Sequence, residues 1–558
     1  MKIETNITSS LEKVRADLKP SDYPRLERPS ALIGEHINFQ LLINIDADIP
    51  WNRDININAE SDLGDIRLRE VKNVAVSLDS ELRDPTRGTE KFLDYPGKVY
   101  PDILEPLQSG NLLRPIRTVS VWADITIPEG TCAGDHTITL TVKKDGELLS
   151  CEKLVLHVVP AVLPKDEYVC TNWFHLDCLA SYYEVPIFSE RHFEIIENFM
   201  SAAVENGINT LLVPIFTPPL DTKIGTERPT VQLVAVRRDD GKYSFDFSLF
   251  DRYIALCQKA GVKNFEISHL FTQWGAKFAP KVVADVCENG VTSEKRIFGW
   301  DTSGTEGEYP VFLSVFLPKL RSHLEELGIL DRCFFHISDE PQKDQIAGYI
   351  AAKNIVAPYL KGCKIIDACS HPEIVTEGAI EIPVPTTDNM PPFLALDLPM
   401  RWTYYCCCQL DNCTNRLIAY PSQRTRILGV QMYKYNITGF LQWAFNFYYT
   451  RGSVNLVNPF TDMSGGGWVP AGDTFVVYPG RDGKPVESLR LKVFAEAFSD
   501  LRALKLCEAL CGRDAVLAVI DEKMPITFKE YPTGAAYLLT LREKINKMIE
   551  EKLTENGN

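Results

Sequence analysis

The sequence lacks several features that would assign a function directly. None of its apolar runs approaches the ~20 residues that cross a bilayer, and residues 1–6 (MKIETN) contain no apolar signal core. It has neither a G-x-G-x-x-G nor a G-x-x-x-x-G-K-[ST] motif, so the phosphate loop of a doubly wound nucleotide-binding sheet is missing. We therefore expect a cytoplasmic protein that binds no nucleotide cofactor.

Basic residues are also scarce relative to acidic ones. The chain has 59 Lys and Arg against 75 Asp and Glu, which gives a net charge of −16. This balance argues against a nucleic-acid partner and against an anionic membrane surface, because both require a basic face. The length of 558 residues exceeds a single ordinary domain and predicts two or three.

The 15 cysteines are odd in number and scattered, which favours reduced thiols over a disulfide framework. Three of them are consecutive, Cys406, Cys407 and Cys408, and Cys413 follows closely. If these three lie on a strand, their side chains point to alternating faces and do not converge on one ion. We therefore expect buried thiols here, with no metal site and no cofactor.

Residues 1–165 show the alternating pattern of β-strands. Apolar residues alternate at 34–43, 118–127 and 136–142, and an Asp145-Gly146 turn leads into a further strand at 154–159. Short strands with turn punctuation predict an N-terminal antiparallel β-sandwich domain. Residues 160–164, which begin and end with proline, are interpreted as a linker.

From residue 166 to 513 the pattern changes to alternating strands and helices. Helices are predicted at 189–205, 247–260, 309–327, 341–360, 422–435 and 486–510. Eight strands are predicted near 169–175, 209–215, 263–269, 332–338, 363–369, 380–385, 401–407 and 438–445. Eight such units predict an α/β fold, a (β/α)8 TIM-like barrel with insertions. Residues 514–558 are interpreted as a short C-terminal helical extension packed on the barrel, and the glycine-rich residues 464–468 as a loop over its mouth.

The most informative stretch is residues 334–341 (FFHISDEP), an apolar strand that stops at Asp339 and Glu340. Catalytic acids sit at such strand ends in barrels, and an adjacent pair suggests acid chemistry on a substrate with a leaving group. The structural alternative is that Asp339 caps a helix opened by Pro341 and that Glu340 favours the dipole of that helix.

Other strand ends carry side chains that suit a sugar. Aromatic faces stack on the apolar side of a pyranose, while amides and acids bind its hydroxyl groups. Each residue also has a structural alternative, since buried histidines and tryptophans are often core residues. The candidates for substrate binding are Trp173, His175, Asp177, His269, Trp274, Trp402, Tyr405, Gln442, Trp443 and Asn446.

Five segments together resemble glycoside hydrolase family 123, the β-N-acetylgalactosaminidases: 336–341 (HISDEP), 402–406 (WTYYC), 439–443 (GFLQW), 472–480 (GDTFVVYPG) and 488–490 (SLR). The resemblance covers most of the chain, because the family also carries an N-terminal β-sandwich. One departure is Gln442, which stands where relatives often have an aromatic residue.

The resemblance implies an exo-acting, retaining β-N-acetylhexosaminidase, more specifically a β-N-acetylgalactosaminidase, with a terminal N-acetylhexosamine of a glycan or glycoside as substrate. Glu340 would be the general acid/base, and Asp339 would orient the 2-acetamido group, whose oxygen attacks C1. Tyr404, or failing that Tyr405, would bond the acetamido oxygen, and Trp443 would form the floor of the sugar site. Two adjacent carboxylates resist double ionisation, so a proton should stay available near neutral pH.

Two alternatives remain open on the sequence. A glycosidase could instead use Glu266 or Asp177 as a protein nucleophile or base beside Glu340, which the separation of the carboxylates would reveal. The barrel could also bind carbohydrate without catalysis, since this fold hosts many functions. The leading interpretation requires the backbone to leave β geometry at Asp339 and Glu340, because neighbouring strand residues face opposite sides.

Overall fold

The computed structural model of the protein describes residues 2–46, 54–76, 92–107, 111–113, 117–165 and 167–557. Its N-terminal part consists of strands β1 (Lys2–Ser9), β2 (Ser30–Ile33), β3 (His36–Asp46), β4 (Asp54–Glu60), β5 (Arg67–Ala75), β6 (Val99–Pro106), β7 (Asn111–Leu113), β8 (Val119–Thr126), β9 (Gly134–Lys144) and β10 (Glu147–Val162). They form two five-stranded sheets, ordered β1-β3-β8-β5-β6 and β2-β10-β9-β4-β7. Alternate residues of both sheets, such as Phe39 and Leu140, share one apolar cluster.

The turn between β9 and β10 is the one that the sequence predicts. Asp145 and Gly146 have φ of 51° and 84°, and they join the paired residues Lys144 and Glu147. Two central residues with positive φ are typical of a type I′ hairpin turn, whose twist matches that of the strands.

Strand β10 corrects two expectations. It continues through Pro160 to Val162, so most of residues 160–164 is strand rather than linker. The pairing with β2 shifts register between Val159 and Val162, so Pro160 lies where the ladder is interrupted and its missing N–H is tolerated. Because β2 and β10 run parallel, the second sheet is mixed rather than purely antiparallel.

The eight predicted barrel strands are all present, as β11 (Val169–Asn172), β12 (Thr210–Val213), β15 (Asn264–Ile267), β18 (Cys333–Phe335), β19 (Lys364–Ala368), β20 (Ile382–Val384), β21 (Trp402–Tyr404) and β22 (Gly439–Gln442). They are parallel and follow chain order around one sheet, with β22 beside β11. A single parallel bridge between Thr386 and Tyr404 links the last two edges, so the barrel is nearly closed. The carboxyl ends of all eight strands therefore meet at one face.

An additional sheet, absent from the sequence-based expectation, lies beside this barrel. It contains β13 (Ala235–Asp239), β14 (Lys242–Asp246), β16 (Val282–Glu288) and β17 (Val291–Phe298), in the order β14-β13-β16-β17. Two of its strands follow β12 and two follow β15, so the connections after those barrel strands are long. A short hairpin of β23 (Val477–Pro479) and β24 (Pro485–Glu487) follows the last barrel strand.

The helices are α1 (Leu176–Tyr182), α2 (Glu190–Glu205), α3 (Ser248–Ala260), α4 (Glu308–Glu326), α5 (Ile346–Val356), α6 (Glu373–Thr376), α7 (Met390–Leu394), α8 (Gln423–Lys434), α9 (Leu489–Cys511), α10 (Arg513–Ile520) and α11 (Ala535–Gly557). The Ser189 side chain caps α2 as predicted, and Gly261 ends α3 with φ of 95°. Within the described ranges, no helix combines the length and apolar character needed to cross a bilayer.

The N-terminal sheets are joined to the barrel through buried ion pairs. Asp102 of β6 accepts hydrogen bonds from the Arg490 guanidinium of α9, at 2.8 and 3.0 Å, and from the Tyr478 hydroxyl at 2.6 Å. Arg542 of α11 pairs with Glu35 of the N-terminal part and with Asp500 of α9. Removing one partner of such a pair is strongly destabilising, so these contacts fix how the elements pack.

Candidate active site

A cavity of about 450 Å³ opens at the carboxyl ends of the barrel strands. Its size is in the range of small-molecule sites. Its lining includes Trp173, Asp221, Lys223, Gln273, Trp274, Asp339, Glu340, Tyr404, Cys406, Cys407, Cys408, Trp443, Arg451 and Trp468. A second cavity of about 410 Å³ shares Glu340, Tyr404, Cys406 and Cys408 with the first, so Glu340 stands at the boundary between the two.

The acid pair follows a strand that ends early. Strand β18 stops at Phe335, and Glu340 has φ of 45°, in the left-handed region that a side chain rarely adopts. The backbone has thus left β geometry, and both Asp339 and Glu340 line the same cavity. The conformation that the sequence-based interpretation required is therefore present.

The helix-cap alternative for Asp339 is wrong. The backbone after Pro341 stays extended at Gln342, and only a 3₁₀ turn at Lys343–Gln345 precedes α5, which begins at Ile346. The Asp339 carboxylate instead accepts a hydrogen bond from the Gln273 side-chain amide at 2.7 Å. The acid is therefore oriented by the loop after β15, not by a helix N-terminus.

Glu340 is held by two aromatic side chains. The Tyr404 hydroxyl donates to Oε1 of Glu340, and the Trp274 side chain also hydrogen-bonds to this carboxylate. Trp274 itself is 49% exposed at the rim of the cleft, which leaves its ring available for stacking. Tyr404 belongs to β21 and Trp274 to the loop after β15, so two separate parts of the barrel fix the position of the acid.

The surroundings of the pair favour retention of a proton. Burial and the charge of Glu340 raise the pKa of Asp339 well above its usual value. Burial also raises the pKa of Glu340, while the hydrogen bond from Tyr404 acts in the opposite direction. Because the two carboxyls lie in one buried cavity, they resist double ionisation, and the pair as a whole favours retention of a proton.

Two further acids near the cleft were missed by sequence reasoning. Asp221, in the connection after β12, lines the cavity, and burial together with the charge of Glu340 raises its pKa to about 7. Asp473 accepts a hydrogen bond from the Trp443 indole at 2.9 Å, and burial raises its pKa to about 7 as well. Asp221 lies in a long loop with no strand-end signal. Asp473 lies within the segment 472–480 and could have been found from it.

Aromatic rings also line the cleft. The Trp443 and Trp468 rings meet at 5.8 Å with a tilt of 62°, and the Trp173 indole donates to Glu266 at 2.7 Å beneath the cleft. Trp468 and Val469 line the cavity, so the glycine-rich residues 464–468 do form a loop at the barrel mouth, as predicted. The cleft thus combines acids with aromatic faces, as a sugar requires.

Three predicted site residues lie in a buried cluster outside the cleft lining. Asp177 accepts two hydrogen bonds from Arg228, at 2.7 and 2.8 Å, and His175 contacts the same guanidinium at 3.1 Å. Asn446 bonds the backbone N–H and C=O of His175. Burial and Arg228 lower the pKa of His175 to about 3, so it stays neutral. We assign these residues to packing between β11 and β22 rather than to substrate contact.

Four more predicted residues pack inside the barrel wall and not on the cleft. Gln442 accepts from the buried Arg416, which also donates to Asn172. The Trp402 ring packs edge-on against Phe334, the Tyr405 ring packs against Phe440, and the His269 ring stacks on His336 at 4.0 Å. Side chains at a strand end can point either into the cleft or into the barrel wall, and residue type alone did not distinguish these two directions.

Glu266 belongs to a buried network below the cleft. It accepts hydrogen bonds from Trp173, Thr171 and Nε2 of His336, and Nδ1 of His336 bonds Asp367 at 2.8 Å. Burial lowers the pKa of His336, but the two carboxylates outweigh this and raise it to about 10. Glu266 is thereby fully engaged and Asp177 is paired with Arg228, so neither is presented to a substrate.

The three consecutive cysteines correct a further expectation. Strand β21 ends at Tyr404, and Cys407 and Cys408 lie in a turn, so the alternation of strand side chains does not apply. The Sγ atoms of Cys406, Cys407 and Cys408 all lie within 4.8 Å of one another. All three residues line the cleft.

Comparison with known families agrees with this geometry. The sequence model of the family described as "Glycoside hydrolase 123, catalytic domain" matches residues 173–507, which is more than half of the chain and includes the whole cleft. The chain belongs to glycoside hydrolase family 123. Family membership makes the protein a glycoside hydrolase, and this favours catalysis over the alternative of a barrel that only binds carbohydrate.

Among solved structures, a family 123 glycoside hydrolase from Clostridium perfringens, studied for glycolipid glycan hydrolysis, matches with a TM-score of 0.72 and 16% identity, over 99% of this chain and 98% of that one. At this identity the likeness shows the shared fold. A GH5 xyloglucanase from Bacteroides ovatus matches over 85% and 98% of the two chains at 8% identity, but its TM-score of 0.25 supports no conclusion. No curated protein sequence matches this family 123 chain significantly.

Proposed function

We propose that this family 123 hydrolase is an exo-acting β-N-acetylhexosaminidase, more specifically a β-N-acetylgalactosaminidase, that works with retention through the substrate's own acetamido group. The observation that carries the proposal is the left-handed backbone at Glu340, which turns Asp339 and Glu340 into one cavity. Adjacent acids on one side of a sugar suit substrate assistance, in which the enzyme supplies no nucleophile of its own. This is an exception to the usual scheme of two opposed carboxylates.

In this mechanism the two acids have different tasks. Glu340 donates its proton to the glycosidic oxygen and later, as a base, accepts one from the attacking water. Asp339, oriented by Gln273, accepts a hydrogen bond from the acetamido N–H and so directs the carbonyl oxygen at C1. Positive charge develops on the acetamido group during attack, and a buried carboxylate next to it stabilises that charge.

Substrate binding would also redistribute the proton of the pair. Burial and the charge of Glu340 favour the protonated form of Asp339. An acetamido N–H pointing at Asp339 favours the ionised form instead, since hydrogen bonds to the charged state stabilise it. The proton then resides on Glu340, where the leaving group needs it. Tyr404, which donates to Glu340, would bond the acetamido oxygen as a second partner.

The two cavities fit an exo-acting enzyme. The first, with Trp443 and Trp468 on one wall, offers room for a terminal sugar, and the second lies beyond Glu340 on the side of the departing group. We propose a glycan or glycoside with a terminal N-acetylhexosamine as substrate. The work on the Clostridium perfringens enzyme concerns glycolipid glycans, and we include that class among the candidates.

A second candidate function keeps the hydrolase but uses Asp221 as nucleophile or base. It is favoured by one observation: Asp221 lines the cavity that contains Glu340. It replaces the earlier candidates Glu266 and Asp177, whose oxygens are engaged in buried hydrogen bonds. Such an enzyme would act on sugars that lack an acetamido group, which separates it from the main proposal.

The test compares nitrophenyl β-glycosides of N-acetylgalactosamine, N-acetylglucosamine and galactose at neutral pH. The main proposal predicts hydrolysis of an N-acetylated substrate, no hydrolysis of the galactoside, a strong loss in Asp339→Asn, and a smaller loss in Glu340→Gln, because the nitrophenyl leaving group needs little help from an acid. The matched control is Glu377→Gln, an exposed acid that lines neither cavity, which should retain full activity. Equal activity on the galactoside, abolished by Asp221→Asn, would contradict it in favour of the second candidate.

A further inference from the structure

The wall of the cleft contains a cluster of thiols that the proposed hydrolysis does not use. The Sγ atoms of Cys406, Cys407 and Cys408 lie within 4.8 Å of one another, and those of Cys407 and Cys408 are 3.7 Å apart. Cys406 and Cys407 are partly buried, whereas Cys408 is exposed. Three sulfur atoms thus converge at a place that an ion can reach from the cleft.

The turn that carries these thiols is fixed by its own hydrogen bonds. Gln409 accepts from the backbone N–H of Cys406 at 2.9 Å and from its thiol at 3.4 Å, while its amide donates to Asp388 at 3.1 Å. The Asn415 amide donates to the carbonyl of Cys406 at 2.8 Å. The backbone and thiol of Cys406 are therefore held in place, which reduces the ordering that a ligand has to impose on the cluster.

The spacing matches that of sulfur ligands around one metal ion. Zn–S bonds of about 2.3 Å at tetrahedral angles place two sulfurs roughly 3.8 Å apart. The Cys407–Cys408 separation of 3.7 Å is close to this value, and the whole cluster needs only small adjustments to reach it. Soft thiolate ligands select thiophilic ions over Mg²⁺ or Ca²⁺, which prefer oxygen.

We propose that Cys406, Cys407 and Cys408 bind one thiophilic cation of the Zn²⁺ or Cd²⁺ type in the wall of the cleft. The bound ion takes three thiolates from the protein and leaves one position open toward the cavity, since a tetrahedral site has four. Cys406 and Cys408 line both cavities together with Glu340 and Tyr404, so the ion lies beside the catalytic pair.

Occupation of this site has a consequence for activity, and this consequence, unlike binding itself, rests on the proposed function. The bound cation and its fourth ligand take up volume in the two cavities that Cys406 and Cys408 line together with Glu340, and so hinder substrate binding there. We therefore expect the loaded protein to hydrolyse its substrate at least about tenfold more slowly, a change that a chelator reverses.

The experiment titrates the full chain with Cd²⁺ under a phosphine reductant at fixed neutral pH and follows the ultraviolet charge-transfer absorbance of Cd–thiolate bonds. We expect saturation at one equivalent, with an intensity of three thiolates. Cys407→Ser and the triple serine variant should weaken binding by at least about tenfold, since even changes outside the ligands cost 10–100-fold. The matched control, Cys132→Ser with Cys151→Ser, removes two exposed cysteines of the N-terminal part and should leave the titration unchanged.

Two results would overturn the proposal. The first is an unchanged titration in the triple serine variant with a native circular dichroism spectrum. The second is loss of the signal in the Cys132→Ser, Cys151→Ser protein. If the triple variant is unstable, Cys408→Ser alone decides, because this residue is exposed and its loss should still remove one third of the absorbance. Binding is read from absorbance and needs no substrate, so failure of the proposed hydrolysis would leave this result unaffected.

Discussion

Removal of the Tyr404 hydroxyl should shift the pH dependence of hydrolysis in a defined direction. The hydroxyl donates to Glu340 and stabilises the ionised carboxylate, so it lowers the pKa of that group. Tyr404→Phe removes this donor and leaves the ring in place. A hydrogen bond to a charged group contributes about 1.5–3 kcal/mol, and one pKa unit corresponds to about 1.4 kcal/mol. We therefore expect the pKa of Glu340 to rise by about 1–2 units.

The assay is the pH profile of kcat/KM, which reports the groups of the free enzyme. Glu340 must be protonated to act as acid, so the basic limb reports its loss of the proton. In the Tyr404→Phe variant, a raised pKa of Glu340 moves the basic limb of the profile to higher pH by about 1–2 pH units. This shift is expected even if the maximal rate falls because the variant has lost a contact with the acetamido group. Because the acids are coupled, the measured value belongs to the pair. An unchanged limb, or one displaced to lower pH, would refute the reasoning.

Three other outcomes follow from named contacts. Glu340→Gln should lower kcat/KM by about 10²–10⁴ on substrates with poor leaving groups and by less on nitrophenyl glycosides, as leaving-group series will show. Gly439→Ala places a methyl group on the Trp402 indole and should cost about 1–3 kcal/mol in urea unfolding, against less than about 1 kcal/mol for Gly534→Ala, which meets open space. Burial lowers the pKa of His336, but Asp367 and Glu266 raise it to about 10. The protonated His336 therefore stabilises the fold fully below about pH 6.5, and this contribution is lost as the pH rises toward 10. Urea midpoints of the wild type should fall over this range, and those of His336→Gln should fall less.

Much of the barrel was predictable because its strands are short, apolar and separated by amphipathic helices. All eight strands lie where the pattern indicated, from β11 at Val169–Asn172 to β22 at Gly439–Gln442. The sheet of β13, β14, β16 and β17 was missed, because β13, β14 and β17 have few buried residues, although β16 does alternate between buried and exposed positions. The parallel pairing of β2 with β10 was missed as well, since it joins residues that are distant along the chain.

The site was predictable only in part, and side-chain direction explains the difference. Asp339, Glu340, Tyr404, Trp173, Trp274 and Trp443 line the cavity, whereas Gln442 and Tyr405, adjacent to two of these residues, point into the wall. Residue type gives no information on which face a side chain takes at a strand end. Loop residues have no periodicity at all, which is why Asp221 escaped notice and why the three cysteines were placed on a strand.

The central claim is that the acetamido group of the substrate, and not a protein carboxylate, attacks C1. The most direct test measures kcat/KM for nitrophenyl N-acyl-galactosaminides whose acyl methyl group carries zero, one, two or three fluorine atoms. Fluorine withdraws electrons from the attacking carbonyl oxygen, so substrate assistance predicts a steep, progressive fall in kcat/KM across the series, with retained anomeric configuration. A flat series, or activity that survives replacement of the acetamido group by hydroxyl, would contradict the account and assign the attack to a protein group such as Asp221.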